Sequence, residues 1–294
     1  MQGTLRRVTN GLISVLGARL PIRTVERLAD EALRTRHRLH EIVRQREARS
    51  SPAIDPPIVA PGGEALSRSI LEASPPWSTV TPLDTNVPGM LTGEEKRYYT
   101  FIARFYSGVG DVVELGPWLG HSTLQIAHAL RSKPEFRGRF LHVFDDFVWR
   151  NGWMREPIAG TDLSPIPEHA SFQGLFEQHV QEVGEILQVT RGKLSDYDGN
   201  EDLETIQWSG APIELIFVDC GRSLEVNHAW WRAFSPSFIP NRTLVVMQDW
   251  RHYSRVPEIF WENTKLFSDS HSDQLELIHE LLEGALATFV YRRP

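Results

Sequence analysis

The chain has 294 residues, 41% hydrophobic and 23% charged, with a formal net charge of −7 and one cysteine. This is an ordinary globular composition; its negative balance argues against a general nucleic-acid binder, and a single cysteine excludes an intrachain disulfide, which fits a reducing cytoplasm. No apolar run reaches the length of a membrane span, and the patch from Gly11 to Leu20 is short and broken by Arg19, a poor secretory signal.

In chain order, residues 1–50 come first as a basic arm with eleven Arg against five Asp or Glu. Leu28, Ala32, Leu39, Ile42 and Val43 fall at helical spacing, which predicts an amphipathic helix over 23–48. Such an arm suits packing on the main domain or on a second subunit, as in a homodimer, and leaves the oligomeric state open; contact with an anionic membrane surface is the weaker alternative. Residues 51–90 carry eight prolines and read as a linker or extended wrapping segment. Residues 91–294 form the main domain. Thr92 and Glu95 make a capping box ahead of a helix bearing Tyr98, Ile102 and Phe105 on one side.

Strands and helices then alternate. Strands are expected at 112–115, 141–144, 186–190, 213–218 and 243–247, with helices at 172–183 and 224–234. Helical segments follow, and 287–291 closes the domain as an edge strand. This order predicts an α/β fold, a Rossmann-like, mostly parallel seven-stranded sheet with helices on both faces. Residues 147–171, with Trp149, Trp153 and Met154, form a long insertion, either a lid or an aromatic patch tucked against the domain. Trp230 and Trp231 are expected to split between core and helix surface, and His228 to be structural.

Chemistry is expected at the carboxyl ends of the strands, where open α/β sheets bind ligands. Those ends carry Glu114 and Gly116, Asp145 and Asp146, Gly192, Asp219, and Gln248 with Asp249. The first of them is the segment Asp111-Val-Val-Glu-Leu-Gly-Pro-Trp-Leu-Gly-His-Ser-Thr123, a strand, a glycine turn and a helix start. A dinucleotide loop needs a second glycine where this chain has Trp118, and no Gly-Lys-Ser/Thr follows for a P-loop. The ligand that remains has an adenosine and no phosphate, which describes S-adenosylmethionine. Gly116 allows close approach, the helix start at His121, Ser122 and Thr123 faces a carboxylate, and Asp145 is placed to accept from ribose hydroxyls.

The same segment resembles motif I of the class I S-adenosylmethionine-dependent methyltransferases. Phe144-Asp-Asp-Phe147, Phe217-Val-Asp-Cys-Gly-Arg-Ser223 and Val246-Met-Gln-Asp-Trp250 resemble the later strand ends of the macrocin-type sugar O-methyltransferase branch, over residues 92–294. The resemblance implies an O-methyltransferase acting on a small hydroxylated substrate such as a sugar or glycosylated natural product. Glu114, Gly116, Pro117, Gly120, His121, Ser122 and Thr123 would shape the cofactor loop. Asp145 would hold the ribose with Asp146 beside it in the cofactor site, Gly192, Lys193 and Leu194 would line the adenine, and Asp219 and Asp249 would sit beside the transferred methyl. In that branch acids at the fourth and fifth strand ends bind a divalent cation such as magnesium. Asp219, Asp249 and Gln248 are the corresponding candidates, although Cys220 stands where the branch has glycine and Gln248 where it has an acid.

Asp249, His252 and Asp219 are the catalytic candidates, with Asp249 or His252 as the base for the acceptor hydroxyl. His121 is a further one. Arg222 would grip an anionic substrate or pair with a nearby acid. Cys220 lacks a histidine partner in the sequence and is not read as a nucleophile. The alternative to an enzyme is a non-catalytic Rossmann-like binding or assembly module with a vestigial cofactor site.

Overall fold

The computed structural model describes residues 76–161, 163, 166–195, 202–221, 223–250, 259–281 and 285–292, with backbone alone at 76, 151, 153 and 259–263. The predicted helix over 23–48, most of the proline-rich stretch, Arg222 and His252 lie outside these residues. The strands are β1 (Asp111–Leu115), β2 (Leu141–Asp145), β3 (Leu187–Arg191), β4 (Ile213–Val218), β5 (Leu244–Gln248), β6 (Leu275–Leu281) and β7 (Leu286–Tyr291). They form one seven-stranded sheet in the order β3-β2-β1-β4-β5-β7-β6. All pairs from β3 to β5 are parallel, and β7 is antiparallel to both neighbours.

The period of two along each strand sends alternate residues to opposite faces. Val112, Val143, Leu215, Phe217, Leu244 and Val246 join one core with α1 (Gly93–Ala103) and α2 (His121–Arg131). Val113, Leu115, Ile216, Val218, Val245 and Met247 join a second core with α5 (Leu224–Phe234) and α6 (Ile259–Ser270). Between them in sequence lie the short helices α3 (Asn151–Arg155) and α4 (Gln173–His179). The mostly parallel, doubly covered sheet expected from the alternation is what the chain forms.

Two expectations are corrected. Residues 275–281 are a strand, not part of a helical run, and β7 lies inside the sheet with β6 at its edge. A register shift between Leu277 and His279 buries Leu275, Ile278 and Leu281, a spacing of three that imitates a helix. Trp230 and Trp231 are both buried, wedged against Phe267.

The capping box forms: the Glu95 amide donates to Thr92 Oγ1 at 3.3 Å, and the Thr92 amide to Glu95 Oε2 at 2.7 Å. Residues 76–91 run over the first core. Trp77 is buried against Tyr98 and His279, and Leu83 exchanges two hydrogen bonds with the Gln125 side chain at 2.9 Å each. At the amino end of the sheet, Glu214 of β4 is fully buried. It accepts from Ser107 N–H (2.6 Å), Ser107 Oγ (2.7 Å), Val109 N–H (2.9 Å) and Gly110 N–H (3.3 Å), pinning the turn that feeds β1.

Candidate functional site

Register gathers the strand ends. Leu115 pairs with Phe144 and Val218, and Val218 with Met247, so Gly116, Asp145, Asp219 and Gln248 follow in one row along the carboxyl edge. Backbone bonds fix the row: Gly116 N–H to Phe144 O (3.0 Å), Asp219 N–H to Leu115 O (2.9 Å) and Gly192 N–H to Asp145 O (2.9 Å). Gly116 has φ +81°, and a Cβ there would stand 2.6 Å from Asp219 O, so loop and β4 tip meet only because the residue is glycine.

A cleft of about 200 Å³, open to solvent, lies along the Gly116, Asp145 and Asp219 part of this row, without Gln248 or Asp249 in its lining. Gly116, Trp118, Asp145, Asp146, Lys193, Leu194 and Asp219 line it, with Arg150, Met154, Ile206, Cys220 and Ser223 among the others. Trp118 stands on the wall in a left-handed backbone (φ +45°) and is mostly buried.

The two acids after β2 differ. Asp146 is held bidentately by Arg150 (3.2 and 2.5 Å) and accepts from Val148 N–H at 3.0 Å. Asp145 Oδ1 accepts from Phe147 N–H at 2.5 Å. Loss of water around the Asp145 carboxyl, and then the adjacent Asp146 charge, raises its pKa well above the carboxylate range.

Glu114 does not line the cleft. It is buried on the α2 side of β1 and accepts from Ser122 Oγ (2.6 Å) and Thr123 Oγ1 (2.7 Å). The carboxylate thereby clamps the glycine turn to the helix start, where Gly120 takes φ +96°. Burial, only partly offset by these two hydroxyls, raises its pKa to about 7. His121 is also away from the cleft lining. Its Nδ1 is 2.6 Å from Val87 O, which makes that nitrogen the donor, and burial lowers its pKa, so the ring is neutral.

Asp249 is mostly buried with φ +59°. Gln248 donates from Nε2 to Glu95 Oε1 at 2.7 Å and accepts from the Tyr99 hydroxyl at 3.3 Å. Burial, and then the field of Asp219, Glu114, Glu95 and Asp249, raises the Tyr99 pKa well above the ordinary phenol value.

The structure therefore brings Gly116, Asp145, Asp146, Gly192, Lys193, Leu194 and Asp219 together around one cleft. Glu114, Ser122 and Thr123 support the loop from behind. In the insertion after β2, Phe147, Trp149 and Met154 are buried, and Arg150 and Met154 reach the cleft. The sequence reading missed Arg150 and Ile206, which line the cleft, and Glu95 and Tyr99, which hold Gln248. Arg150 stands four residues after Asp146, a spacing that could have signalled the pair.

No protein-family model matches the chain, and no curated protein matches it. Solved structures do show likeness. The O-methyltransferase TomG from Streptomyces achromogenes, in complex with SAM, is similar with a TM-score of 0.46 and 14% identity, over 69% of this chain and 82% of that one. Cofactor-bound Rv0187 from MTB gives 0.47 and 15%, over 71% and 85%. CalS11, a TDP-rhamnose 3'-O-methyltransferase of calicheamicin biosynthesis, gives 0.40 and 16%, over 68% and 81%. These are likenesses of backbone course at low identity.

Proposed function

We propose that this chain is an S-adenosylmethionine-dependent methyltransferase acting on oxygen of a small hydroxylated molecule, a sugar or glycosylated natural product. One observation carries the reading: Gly116, Asp145 and Asp219 line one cleft whose loop presents Trp118 instead of a pyrophosphate-binding glycine. When bound, the cofactor supplies an electrophilic methyl group on a cationic sulfur.

Each residue has a task in this reading. The charged form of Asp145 accepts from the ribose hydroxyls, while Arg150 keeps Asp146 turned aside. Leu194, Ile206 and Phe144 offer an apolar slot for the adenine, with Lys193 at its border. Gly116 would face the amino-acid end, and Glu114 holds that loop in shape through Ser122 and Thr123. Asp219 would supply negative charge on the cleft wall for a cationic sulfur. Asp249 would take the proton of the acceptor's hydroxyl, with His252 the second candidate for that role.

Calorimetry with S-adenosylmethionine tests this. Binding in the micromolar range is expected, weakened at least tenfold in Asp145→Ala. No heat from the wild-type chain would favour the non-catalytic module, and fluorescence enhancement of NADH on titration would favour an oxidoreductase.

A further inference from the structure

The resemblance to macrocin-type enzymes puts a divalent cation at the ends of β4 and β5, on Asp219, Asp249 and Gln248. The side chains present do not fit that task. A hard cation takes oxygen donors, carboxylates above all, and here one of the three positions is a neutral amide whose oxygen already has one of its two lone pairs on the Tyr99 hydroxyl. The amide cannot turn to offer it elsewhere. Its nitrogen faces Glu95, a buried carboxylate whose other oxygen is held by the Thr92 amide. An ionised carboxylate only accepts, so it dictates which end of the amide points toward it. Tyr99 in turn is locked by stacking on Phe217, ring centroids 5.2 Å apart. Among the described residues no three His, Cys, Asp or Glu side chains come together in a group that could hold an ion.

We propose that the ends of β4 and β5 take no divalent cation, and that Gln248 is instead a tie from β5 to α1, anchored on Glu95 and Tyr99. The tie fixes the strand just before Asp249, which turns into a left-handed conformation at φ +59°. For the enzymatic reading, on which this last consequence rests, proton removal then falls to protein side chains without a metal.

The probe is Mn²⁺ alone, titrated calorimetrically into the full chain. The wild type is expected to bind no tighter than the millimolar range. Gln248→Asp, too short to reach Glu95 and adding a third carboxylate, is expected to gain at least tenfold in Mn²⁺ affinity. The exchanged pair Glu95→Gln with Gln248→Glu preserves the tie with its polarity reversed. It should unfold within about 2 °C of the wild type and also ignore Mn²⁺; it stands in should Gln248→Asp not fold. One micromolar site in the wild type, lost in Asp219→Asn, overturns the proposal. So does a folded Gln248→Asp with no gain. A parallel titration with S-adenosylmethionine keeps the two readings apart: its failure removes the enzyme assignment and leaves the Mn²⁺ result standing.

Discussion

Glu214 and Asp145 sit at opposite ends of one sheet, and the chain surrounds them in opposite ways. Glu214 has no exposed surface and four donors within 3.3 Å. Asp145 borders a cleft, has Phe147 N–H on one oxygen, and lies beside a second acid. A buried carboxylate surrounded by donors is a rivet, because each N–H it satisfies would otherwise be orphaned. A desolvated carboxylate short of donors is held at a cost, and such residues cluster where a ligand completes the set. The pair separates two uses of one functional group within a single fold.

The comparison can be broken most forcefully at Glu214. Glu214→Leu strands the amides of Ser107, Val109 and Gly110 and is expected to lower stability by about 3–5 kcal/mol in urea unfolding. Affinity of the remaining folded protein for S-adenosylmethionine should stay within twofold. Asp145→Asn should do the reverse. It is expected to weaken the cofactor at least tenfold, about 1.4 kcal/mol, while the thermal midpoint of the ligand-free protein holds or rises. A result in which both variants lose stability equally would erase the distinction.

The smallest effect is on pH dependence. Burial raises the folded-state pKa of Glu114 to about 7, from an unfolded value of about 4.3, and Asp145 shifts the same way. Their contribution is therefore fully present below about pH 4 and is lost as pH rises through 7. The ligand-free chain should unfold more easily at pH 8 than at pH 5, with a shallower slope in Glu114→Gln. Cofactor affinity should climb over the same interval, since ionised Asp145 is the better acceptor. Parallel slopes for the two quantities would contradict the assignment of Asp145.

The legible parts of the molecule were those written in short-range pattern. Apolar runs ending in Gly or Asp located β1, β2, β4 and β5, and the parallel register then carried Gly116, Asp145 and Asp219 into one row. The capping box was readable because Thr92 and Glu95 are three residues apart. The second partner of Glu95 was not, since Gln248 lies 153 residues away and only the packing of α1 on β5 brings them together. Glu214 was hidden for the same reason. In sequence it is one charge interrupting an apolar strand, and its donors come from a turn more than 100 residues earlier. β6 was misread because its irregular pairing erased the alternation that marks a strand.

The reversed strand β7 has a temporal consequence. β5, which leads directly into Asp249, pairs on its outer side only with β7, a segment that starts at Leu286. During synthesis at 5–20 residues per second, β5 leaves the ribosome several seconds before its partner. Until the β6–β7 hairpin docks, the backbone of Leu244–Gln248 is an open template for other chains. Shortening the stretch between Gln248 and Leu286 would narrow that window, and nascent chains arrested inside it should be the species that chaperones capture.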